Sequence, residues 1–327
     1  MKRYAAAALT VLCIALLGSS PTPAPARDAA PDGLRIATYN IENMMMLFDQ
    51  HRMPERSRNR TEMFRDEEDL FEIAAVTALP DMDADIICIQ ESCDEAMLRL
   101  FNERWLHGRY AMVRAFRGNT DGQFLAMLAR PGLEVLDVRE YFEDLDSQPG
   151  LTDDNNDAPA RLFNRGPAFV KFRDEAGRVF WVGTVHLKSK WNDSPAAARW
   201  RVRMMARLRD ICHELAADAP MVAVAGDFND SFGQDRIERE IDTDAITHML
   251  TPVDDRTLHS VTRGLAADNP QLGTWHGAIK PSAPSFIDHI FMTTHMAEHV
   301  TDVWVVQNPI ALVASDHLPV VVQLDWR

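Results

Sequence analysis

Seven polar side chains in this chain are of the types that assist the hydrolysis of a phosphoester. They supply hard oxygen ligands, two imidazoles and further carboxylates, and are Asn40, Glu91, His186, Asp227, Asp288, Asp316 and His317. Breaking a phosphoester requires neutralisation of charge on the non-bridging oxygens, an oriented water and help for the leaving oxygen. A divalent ion and a cationic histidine meet the first need, and an aspartate that holds water meets the second. The set therefore indicates metal-assisted hydrolysis.

These residues lie in six short segments, each at or just past the end of an apolar run. Strand ends are where a rigid scaffold presents polar groups to a shared crevice. One such segment alone is weak evidence, because a single Asp or His after a strand usually caps a turn, and only the set carries the argument. The segments are Ala37-Thr-Tyr-Asn-Ile-Glu-Asn43, Cys88-Ile-Gln-Glu91, Gly183-Thr-Val-His-Leu-Lys188, Gly226-Asp-Phe-Asn-Asp230, Phe286-Ile-Asp-His289 and Ser315-Asp-His-Leu-Pro319.

The elements that must position these segments are predominantly strands. Short apolar runs rich in β-branched and aromatic residues predict strands. The predicted strands are Leu34–Tyr39, Asp85–Gln90, Tyr110–Ala115, Phe124–Ala129, Glu134–Arg139, Ala168–Phe172, Val179–His186, Met221–Gly226, Ser285–Met292, Thr301–Val306 and Pro319–Leu324. Many strands interleaved with few helices favour two packed sheets with helices outside over a doubly wound sheet.

Helical periodicity predicts three helices, at Asp66–Leu79, Glu95–Leu106 and Pro195–Ala216. The third is rich in arginine, and we interpret its basic side as a solvated face and not as a phosphate-binding stripe. The arginines concerned are Arg199, Arg201, Arg203, Arg207 and Arg209.

The N-terminus has the pattern of a signal peptide over residues 1–26. Lys2 and Arg3 precede the apolar run Ala5–Leu17, and Ala24-Pro-Ala26 fits a cleavage site. A run of 13 residues is too short to cross about 30 Å of hydrocarbon, although an uncleaved anchor stays an alternative. We expect a periplasmic or secreted protein with no stable membrane span, in which residues 27–33 are a flexible lead-in and residues 34–327 form one catalytic domain.

The composition limits the partners. The chain has 327 residues and a formal net charge of −15, whereas a binder of duplex nucleic acid usually has a basic surface. The acidity argues against duplex binding without excluding nuclease chemistry, and no protein partner is evident. Cys88, Cys93 and Cys212 remain after cleavage and leave room for one disulfide without predicting it.

Taken in order, the six segments resemble the endonuclease/exonuclease/phosphatase superfamily, which includes DNase I-like nucleases, abasic-site endonucleases, sphingomyelinases and inositol-phosphate phosphatases. The resemblance runs from Leu34 to about Leu324 and is most specific at Gln90-Glu91, Gly226-Asp-Phe-Asn229 and Ser315-Asp-His317. It implies an α/β fold, a four-layer α/β/β/α sandwich of two packed mixed β-sheets with outer helices. This agrees with the strand count.

The resemblance also implies a metal site. Glu91 is similar to the family's principal metal ligand, assisted by Asn40, and Asp316 stands near the metal as a second ligand. The implied ion is Mg²⁺, which prefers oxygen ligands and keeps several waters, with Mn²⁺ and Ca²⁺ as alternatives. Glu42 stands where several relatives have Asp, so its reach toward a metal is longer.

The remaining roles follow by position. Asp227 resembles the residue that orients or deprotonates the attacking water, and Asn229 the residue that holds that aspartate and the phosphate in register. His317 matches the catalytic histidine, as general base or as electrostatic stabiliser, and Asp288 its carboxylate partner. His186 is expected to donate to a phosphate oxygen.

Two cations are expected to contact the substrate. Arg165 falls where relatives often place a phosphate-contacting residue, with a simple surface arginine as the alternative. Lys188 follows His186 by two positions and is expected to share its strand face. Trp275 is expected to pack in the core or at the rim of the cleft and not to stack on a base.

The expected substrate is extracellular DNA or RNA, because Ala37–Phe48 and His186–Lys190 are similar to exported bacterial nucleases. A sphingomyelinase-like enzyme stays an alternative, although it needs an exposed apolar hairpin, and Met44–Phe48 is expected to pack inside. A sugar or inositol phosphatase is also open. A catalytically inactive binding protein is disfavoured, because such a protein needs none of these side chains for chemistry.

Overall fold

The computed structural model describes residues 33–44, 67–118, 123–144, 161–190, 193–269, 272–277 and 285–326. The signal peptide, residues 27–32 of the lead-in and residues 45–48 of the Met44–Phe48 segment lie outside these ranges. Gly33, the last residue assigned to the lead-in, already pairs with Asp325 in the first strand.

The described residues form twelve strands, and eleven of them correspond to the predicted strands. They are β1 Gly33–Asn40, β2 Ile86–Ser92, β3 Met112–Phe116, β4 Phe124–Ala129, β5 Glu134–Glu140, β6 Ala168–Arg173, β7 Val179–His186, β8 Val222–Asp227, β9 Leu258–Ser260, β10 Asp288–Thr293, β11 Val300–Val305 and β12 Val320–Asp325. Only the three-residue β9, too short to show a pattern, was not predicted.

The helices are mostly short. They are α1 Glu67–Thr77, α2 Glu95–Arg104, α3 Pro195–Ala216, α4 Arg236–Glu240, α5 Arg263–Asp268, α6 Thr294–Ala297 and α7 Ala311–Ala314, with a 3₁₀ helix at Ile246–Met249. The three predicted helices are present. The longest, α3, begins at a Ser194 side chain that accepts the Ala197 N–H, with proline at its first position. Among the described residues, no helix could span a membrane.

The strands form two mixed six-stranded sheets, in the orders β11-β12-β1-β2-β4-β3 and β5-β6-β7-β8-β10-β9. Strands β1, β2 and β4 of the first sheet contact β7 and β8 of the second. One core lies between the sheets and includes α1, whereas a second lies between the second sheet and α3. Central strands such as β8 are therefore buried on both faces, which is why they are continuous apolar runs. The predicted four-layer sandwich is confirmed.

One helix residue corrects the sequence interpretation. Arg201, assigned to the solvated face of α3, is fully buried, with its guanidinium paired to Asp193 at 2.7 Å. Arg207 and Arg209 are half-buried and pair with acidic neighbours. Periodicity alone missed this because a buried ion pair looks like any other charge in a sequence.

Candidate active site

The pairing of the strands brings the six polar segments to one edge of the sandwich. In the parallel pair β7–β8, His186 stands beside Asp227, and the antiparallel β10 begins with Asp288 opposite Asp227. In the other sheet, the parallel pair β1–β2 places Asn40 beside Gln90. Because antiparallel β10 starts where its neighbour β8 ends, Asp288 and Asp227 meet at one edge of the second sheet. Asn40 reaches them from the first sheet, where its Nδ2 donates to Asp227 Oδ2 at 3.1 Å.

His317 and Asp288 form a buried hydrogen-bonded pair. His317 Nδ1 lies 2.8 Å from Asp288 Oδ2, and the two residues are 5% and 1% exposed. Burial alone disfavours a charged imidazole, but the Asp288 carboxylate outweighs it and raises the pKa of His317 to about 10. Nε2 is left facing the interior of the site. His317 is therefore held as a cation near neutral pH.

Asp227 lies at the centre of the site and is 2% exposed. Its Oδ2 accepts from Asn40 Nδ2 at 3.1 Å and lies 3.8 Å from His317 Nε2. Burial raises the pKa of Asp227 to about 7, even though the charge of His317 acts in the opposite direction. A carboxylate with such a pKa can accept a proton near neutral pH.

The turn after β8 fixes the orientation of Asp227. Asn229 has a left-handed backbone with φ of 53°, which Asn tolerates better than most residues. Its N–H donates to Asp227 Oδ1 at 2.8 Å, and its side-chain amide donates to the Leu187 carbonyl at 3.1 Å. Gly226 precedes Asp227 because a Cβ there would overlap the Val185 carbonyl oxygen on β7. Local geometry thus explains why glycine precedes Asp227 and why asparagine stands at position 229.

Arg165 and His186 form a second contacting pair in the site, beside Asp227. Arg165 Nη1 lies 2.5 Å from His186 Nδ1 and 3.0 Å from Nε2. A guanidinium can only donate, and Nε2 faces the Asp227 carboxylate, so we assign the acceptor role to the nearer Nδ1. The proton of neutral His186 is then on Nε2, 3.4 Å from Asp227 Oδ2. Burial, with the charge of Arg165, lowers the pKa of His186 well below its usual range. His186 is accordingly a neutral hydrogen-bond donor, and Arg165 supplies the positive charge.

Glu91 is turned into the site by an irregularity of β2. The β2–β4 register shifts after Ile89, and Glu91 has a φ of 59°. Its Oε2 accepts from the Asn43 N–H at 3.0 Å and from Gln123 Nε2 at 3.1 Å. Burial raises the pKa of Glu91 more than the charge of Arg165 lowers it. A bulge that re-aims one side chain is a common device beside active sites.

The residues around Glu91 fit a divalent ion. Burying a carboxylate is unfavourable unless a cation compensates it. Glu91 is half-buried, and the charges of Arg165 and His317 compensate it only in part, because its pKa stays raised. Among the described residues, the amide oxygen of Asn40 accepts from the Glu42 N–H alone, at 3.1 Å, so it keeps a lone pair for a metal. Oxygen ligands of this kind suit Mg²⁺, which would neutralise charge on a bound phosphate.

Three other side chains of the site have their ligand atoms close enough together to hold a cation. Ligand atoms of Asp227, Asp288 and His317 all lie within 4.8 Å of one another. One of these contacts is already the His317–Asp288 hydrogen bond, and an ion there would have to replace it. We favour the Glu91 position, although Asp288 Oδ1, buried without a hydrogen-bond partner, is an open oxygen at the second.

Asp316 stands at the rim of the site, held by three groups. Its N–H donates to Glu42 Oε2 at 3.1 Å, and Trp275 Nε1 donates to its Oδ2 at 3.0 Å. Its Oδ1 lies 3.9 Å from His317 Nε2. The glutamate at position 42 thus supports Asp316 through the backbone. Trp275 packs at the rim, as expected, and in addition orients this carboxylate.

Lys188 forms no hydrogen bond with another expected site residue in the part of the chain that the structure describes. Strand β7 ends at His186, so alternation no longer applies at position 188. Its ammonium donates to the Ser189 carbonyl at 3.0 Å.

A cavity of about 60 Å³, lined by Arg130 and Trp326 among others, lies at the far end of the sheets and contains no residue of this site.

Two supporting hydroxyls were not anticipated. Thr274 Oγ1 accepts the Asp288 N–H at 3.1 Å, and Ser315 Oγ donates to the Asn40 carbonyl at 2.7 Å. The His317 N–H in turn donates to Ser315 Oγ at 3.1 Å, which ties β1 to the His317 loop. The only signal for Ser315 was its place in the Ser315-Asp-His317 segment, and Thr274 had none.

A two-sheet α/β/β/α sandwich with carboxylates, imidazoles and an amide at one edge is typical of a class of phosphoester hydrolases. The chain belongs to the Endonuclease/Exonuclease/phosphatase family, whose model matches residues 37–317. Members of that family are hydrolases that act on phosphoester bonds. The sequence-based resemblance is confirmed.

Solved structures with the same fold are distant in sequence. The human Nocturnin catalytic domain with bound sulfate has a TM-score of 0.57 and 16% identity, covering 89% of this chain and 93% of that one. A family member from Bacteroides vulgatus has a TM-score of 0.59 and 18% identity, covering 90% and 99%. A Bacteroides thetaiotaomicron mannosyl-6-phosphatase has a TM-score of 0.54 and 18% identity, covering 88% and 98%. No curated protein sequence matches the chain.

Proposed function

We propose that this protein is an exported, divalent-metal-dependent phosphodiesterase whose substrate is nucleic acid. The observation that carries the proposal is Asp227, a buried carboxylate with a pKa of about 7, which lies within 3.8 Å of a cationic His317. That juxtaposition offers a base for water and a positive donor for phosphate in one small space. The nucleic-acid part rests on the similarity of Ala37–Phe48 and His186–Lys190 to exported nucleases.

Asp227 is the residue that we assign to the attacking water. Its Oδ1 is occupied by the Asn229 N–H, so Oδ2 is the oxygen that can hold water or take its proton. Asn40 Nδ2 donates to that same oxygen and fixes its direction. Orientation of this kind converts a weak nucleophile into a positioned one.

His317 is assigned to charge stabilisation. With a pKa of about 10 it is already protonated at neutral pH, so it cannot serve as a general base there. Nε2–H is instead available to a non-bridging phosphate oxygen, while Asp288 holds Nδ1. Neutral His186 and cationic Arg165 are further hydrogen-bond donors for the phosphate oxygens. Fixed donors in a dry site stabilise developing charge far better than donors in water do.

A metal bound by Glu91 and Asn40 would supply further positive charge to the phosphate. The protein side of that assignment is the half-buried Glu91 carboxylate, which the charges of Arg165 and His317 compensate only in part. Asp316 is near enough to Glu91 for its charge to raise the pKa of Glu91, which supports Asp316 as a second ligand. Mg²⁺ is the proposed ion, and Mn²⁺ and Ca²⁺ are the alternatives to compare with it.

A sugar or inositol phosphatase is the second candidate. The net charge of −15 favours small substrates over long polyanions, and a structural neighbour is a mannosyl-6-phosphatase. Arg165 also offers a monoester dianion a buried cation. We rank this function second because the segments around Asn40 and His186 are more similar to nucleases.

A substrate panel tests the proposal. Purified protein is assayed with bis(p-nitrophenyl) phosphate, p-nitrophenyl phosphate, sphingomyelin, single-stranded and duplex DNA, RNA, and mannose 6-phosphate, each with Mg²⁺, Mn²⁺ or Ca²⁺. We expect the highest kcat/KM on a nucleic acid and no turnover after chelation. A preference for the monoesters would replace the proposed function by the second candidate. Asp227→Asn is the control for contaminating phosphatases.

A further inference from the structure

A cluster of six charged residues lies beside the site and is not explained by substrate or metal binding. We call it the Lys190 cluster. It consists of Lys190, Asp193, Arg201, Asp230, Asp235 and Glu238. Lys190 Nζ pairs closely with Asp230, lies 2.7 Å from Asp235 Oδ2 and 3.7 Å from Glu238 Oε2. It is the one residue of the cluster that contacts three carboxylates.

The cluster is largely removed from water. Arg201, Asp230 and Glu238 are fully buried. Four carboxylates face two cations, so the loss of either cation would leave buried negative charges side by side. Burial acts against the charge of Lys190, but Asp230 and its acidic neighbours outweigh it and raise the pKa of the ammonium. Lys190 is therefore a permanent internal counter-ion.

The cluster joins the two loops that carry the catalytic groups. Lys190 belongs to the loop that follows β7, whose last residue is His186. Asp230 directly follows Asn229 in the loop after β8. Two further bonds run between the same loops. The Leu187 N–H donates to the Asp227 carbonyl at 2.9 Å, and Asn229 donates to the Leu187 carbonyl at 3.1 Å.

Asp230 is also fixed from a third side. His289, fully buried, has Nε2 2.9 Å from the Asp230 carbonyl and Nδ1 3.2 Å from Thr262 Oγ1. His289 is adjacent to Asp288. A displacement of Asp230 would therefore reach Asp227 through the turn and Asp288 through His289.

We propose that Lys190 is a positioning residue of the active site, which holds Asp227 and His186 at their working distance by pairing with Asp230 across the two loops. The proposal rests on the proposed function. Lys190 acts through Asp230, and its ion pairs with described residues are all with carboxylates of the cluster. It differs in this from Lys188 and Arg165, which were expected to bind phosphate.

The proposal makes a specific demand on charge. Removing one partner of a buried ion pair is far more disruptive than removing both, because the remaining charge is left uncompensated. Lys190→Met leaves Asp230 beside Glu238, whereas Lys190→Met with Asp230→Asn removes that repulsion. Lys190→Arg keeps the charge. The matched control is Lys171→Met, since Lys171 pairs with Asp218 at 2.8 Å outside the site.

We expect Lys190→Met to lower kcat about 100-fold, the loss typical of an ångström-scale misplacement, with KM changed less than about threefold. Lys190→Arg should recover at least a tenth of the wild-type kcat, and the double variant should exceed Lys190→Met by at least tenfold. Lys171→Met should match the wild type. Should Lys190→Met not fold, the double variant decides. A kcat about tenfold below the wild-type value with KM unchanged supports the proposal, and a kcat equal to the wild-type value overturns it, because the pair would then not be needed for positioning.

Two other results overturn the proposal. A lowered melting temperature with unchanged kcat would make the cluster merely structural, and a raised KM with unchanged kcat would make Lys190 a substrate ligand. The NMR signals of the His186 ring in the metal-free protein provide a readout independent of turnover. They should move in Lys190→Met and stay in Lys171→Met. If the wild type hydrolyses no phosphoester, the proposed function fails while the shift still tests the connection.

Discussion

Asp288→Asn removes the charge that faces His317 and preserves the shape of the side chain. An amide oxygen can still accept from His317 Nδ1 at the present 2.8 Å. Asp288 Oδ1 has no hydrogen-bond partner, so the new NH₂ group can occupy its place without displacing a donor. The variant therefore isolates the effect of the charge on the imidazole.

The expected size follows from the kind of bond that is changed. A hydrogen bond to a charged group contributes about 1.5–3 kcal/mol, against about 1 kcal/mol for a neutral one. The difference of about 0.5–2 kcal/mol corresponds to a fall of about 0.4–1.4 units in the pKa of His317, since one pKa unit is about 1.4 kcal/mol. The pKa should fall from about 10 to between about 8.5 and 9.5. Because the imidazolium is the active form, activity would be lost at a lower pH in the variant.

Two assays follow the change. NMR titration of the His317 ring in the metal-free proteins gives the pKa directly, and kcat/KM against pH gives its consequence for turnover. His317→Ala should lower kcat about 10²–10⁴-fold, and adding Asp288→Asn to it should change little, because the two residues act as a unit. The reasoning is refuted if the two titration curves coincide, or if the losses multiply in the double variant.

Three further changes have defined outcomes. Glu91→Gln should raise the Mg²⁺ concentration for half-maximal activity at least about tenfold at an unchanged or higher melting temperature, and an unchanged metal dependence would remove Glu91 from the metal site. Asp227→Asn should abolish turnover and raise the free energy of unfolding at pH 8. The reason is that burial raises the carboxyl pKa from 3.8 to about 7, so the wild type loses stability as the pH rises through that range and the amide does not. Urea unfolding at pH 5 and 8 measures this, and a less stable variant at pH 8 contradicts it. Mass spectrometry of protein from the native host should find Arg27 at the N-terminus outside the cytoplasm, and an intact Met1 on a cytoplasmic protein would exclude export.

Much of the fold was predictable because it follows from local patterns. Runs such as Val179–His186 and Phe124–Ala129 have the composition of strands, and their observed bounds equal the predicted ones. Strand Leu258–Ser260 was not predicted, since three residues show no periodicity. That the strands form two packed sheets came from the family resemblance and the number of strands and not from any single segment. Which strands pair, and that each sheet has six strands, was not predicted, because pairing depends on contacts between residues far apart in the chain.

The site was predictable in its members but not in its contacts. That Asp227 and His317 would be near each other followed from the ordered motifs. The left-handed backbone of Glu91, the hydrogen bond of Arg165 to His186 and the contact of the Lys188 ammonium with the Ser189 carbonyl depend on tertiary geometry. Arg201 shows the same limit, because a solvated arginine and a buried one paired with aspartate have the same letter and the same helical spacing.

The central claim is that this edge of the sandwich hydrolyses phosphodiesters with the help of a divalent ion. The most direct test is the release of p-nitrophenol from bis(p-nitrophenyl) phosphate by the purified protein, titrated with Mg²⁺ and compared with Asp227→Asn at equal concentration. We predict saturable Mg²⁺-dependent turnover that chelation abolishes and that falls at least about 100-fold in the variant. Turnover that is equal in both proteins, or absent with Mg²⁺, Mn²⁺ and Ca²⁺ alike, would contradict it.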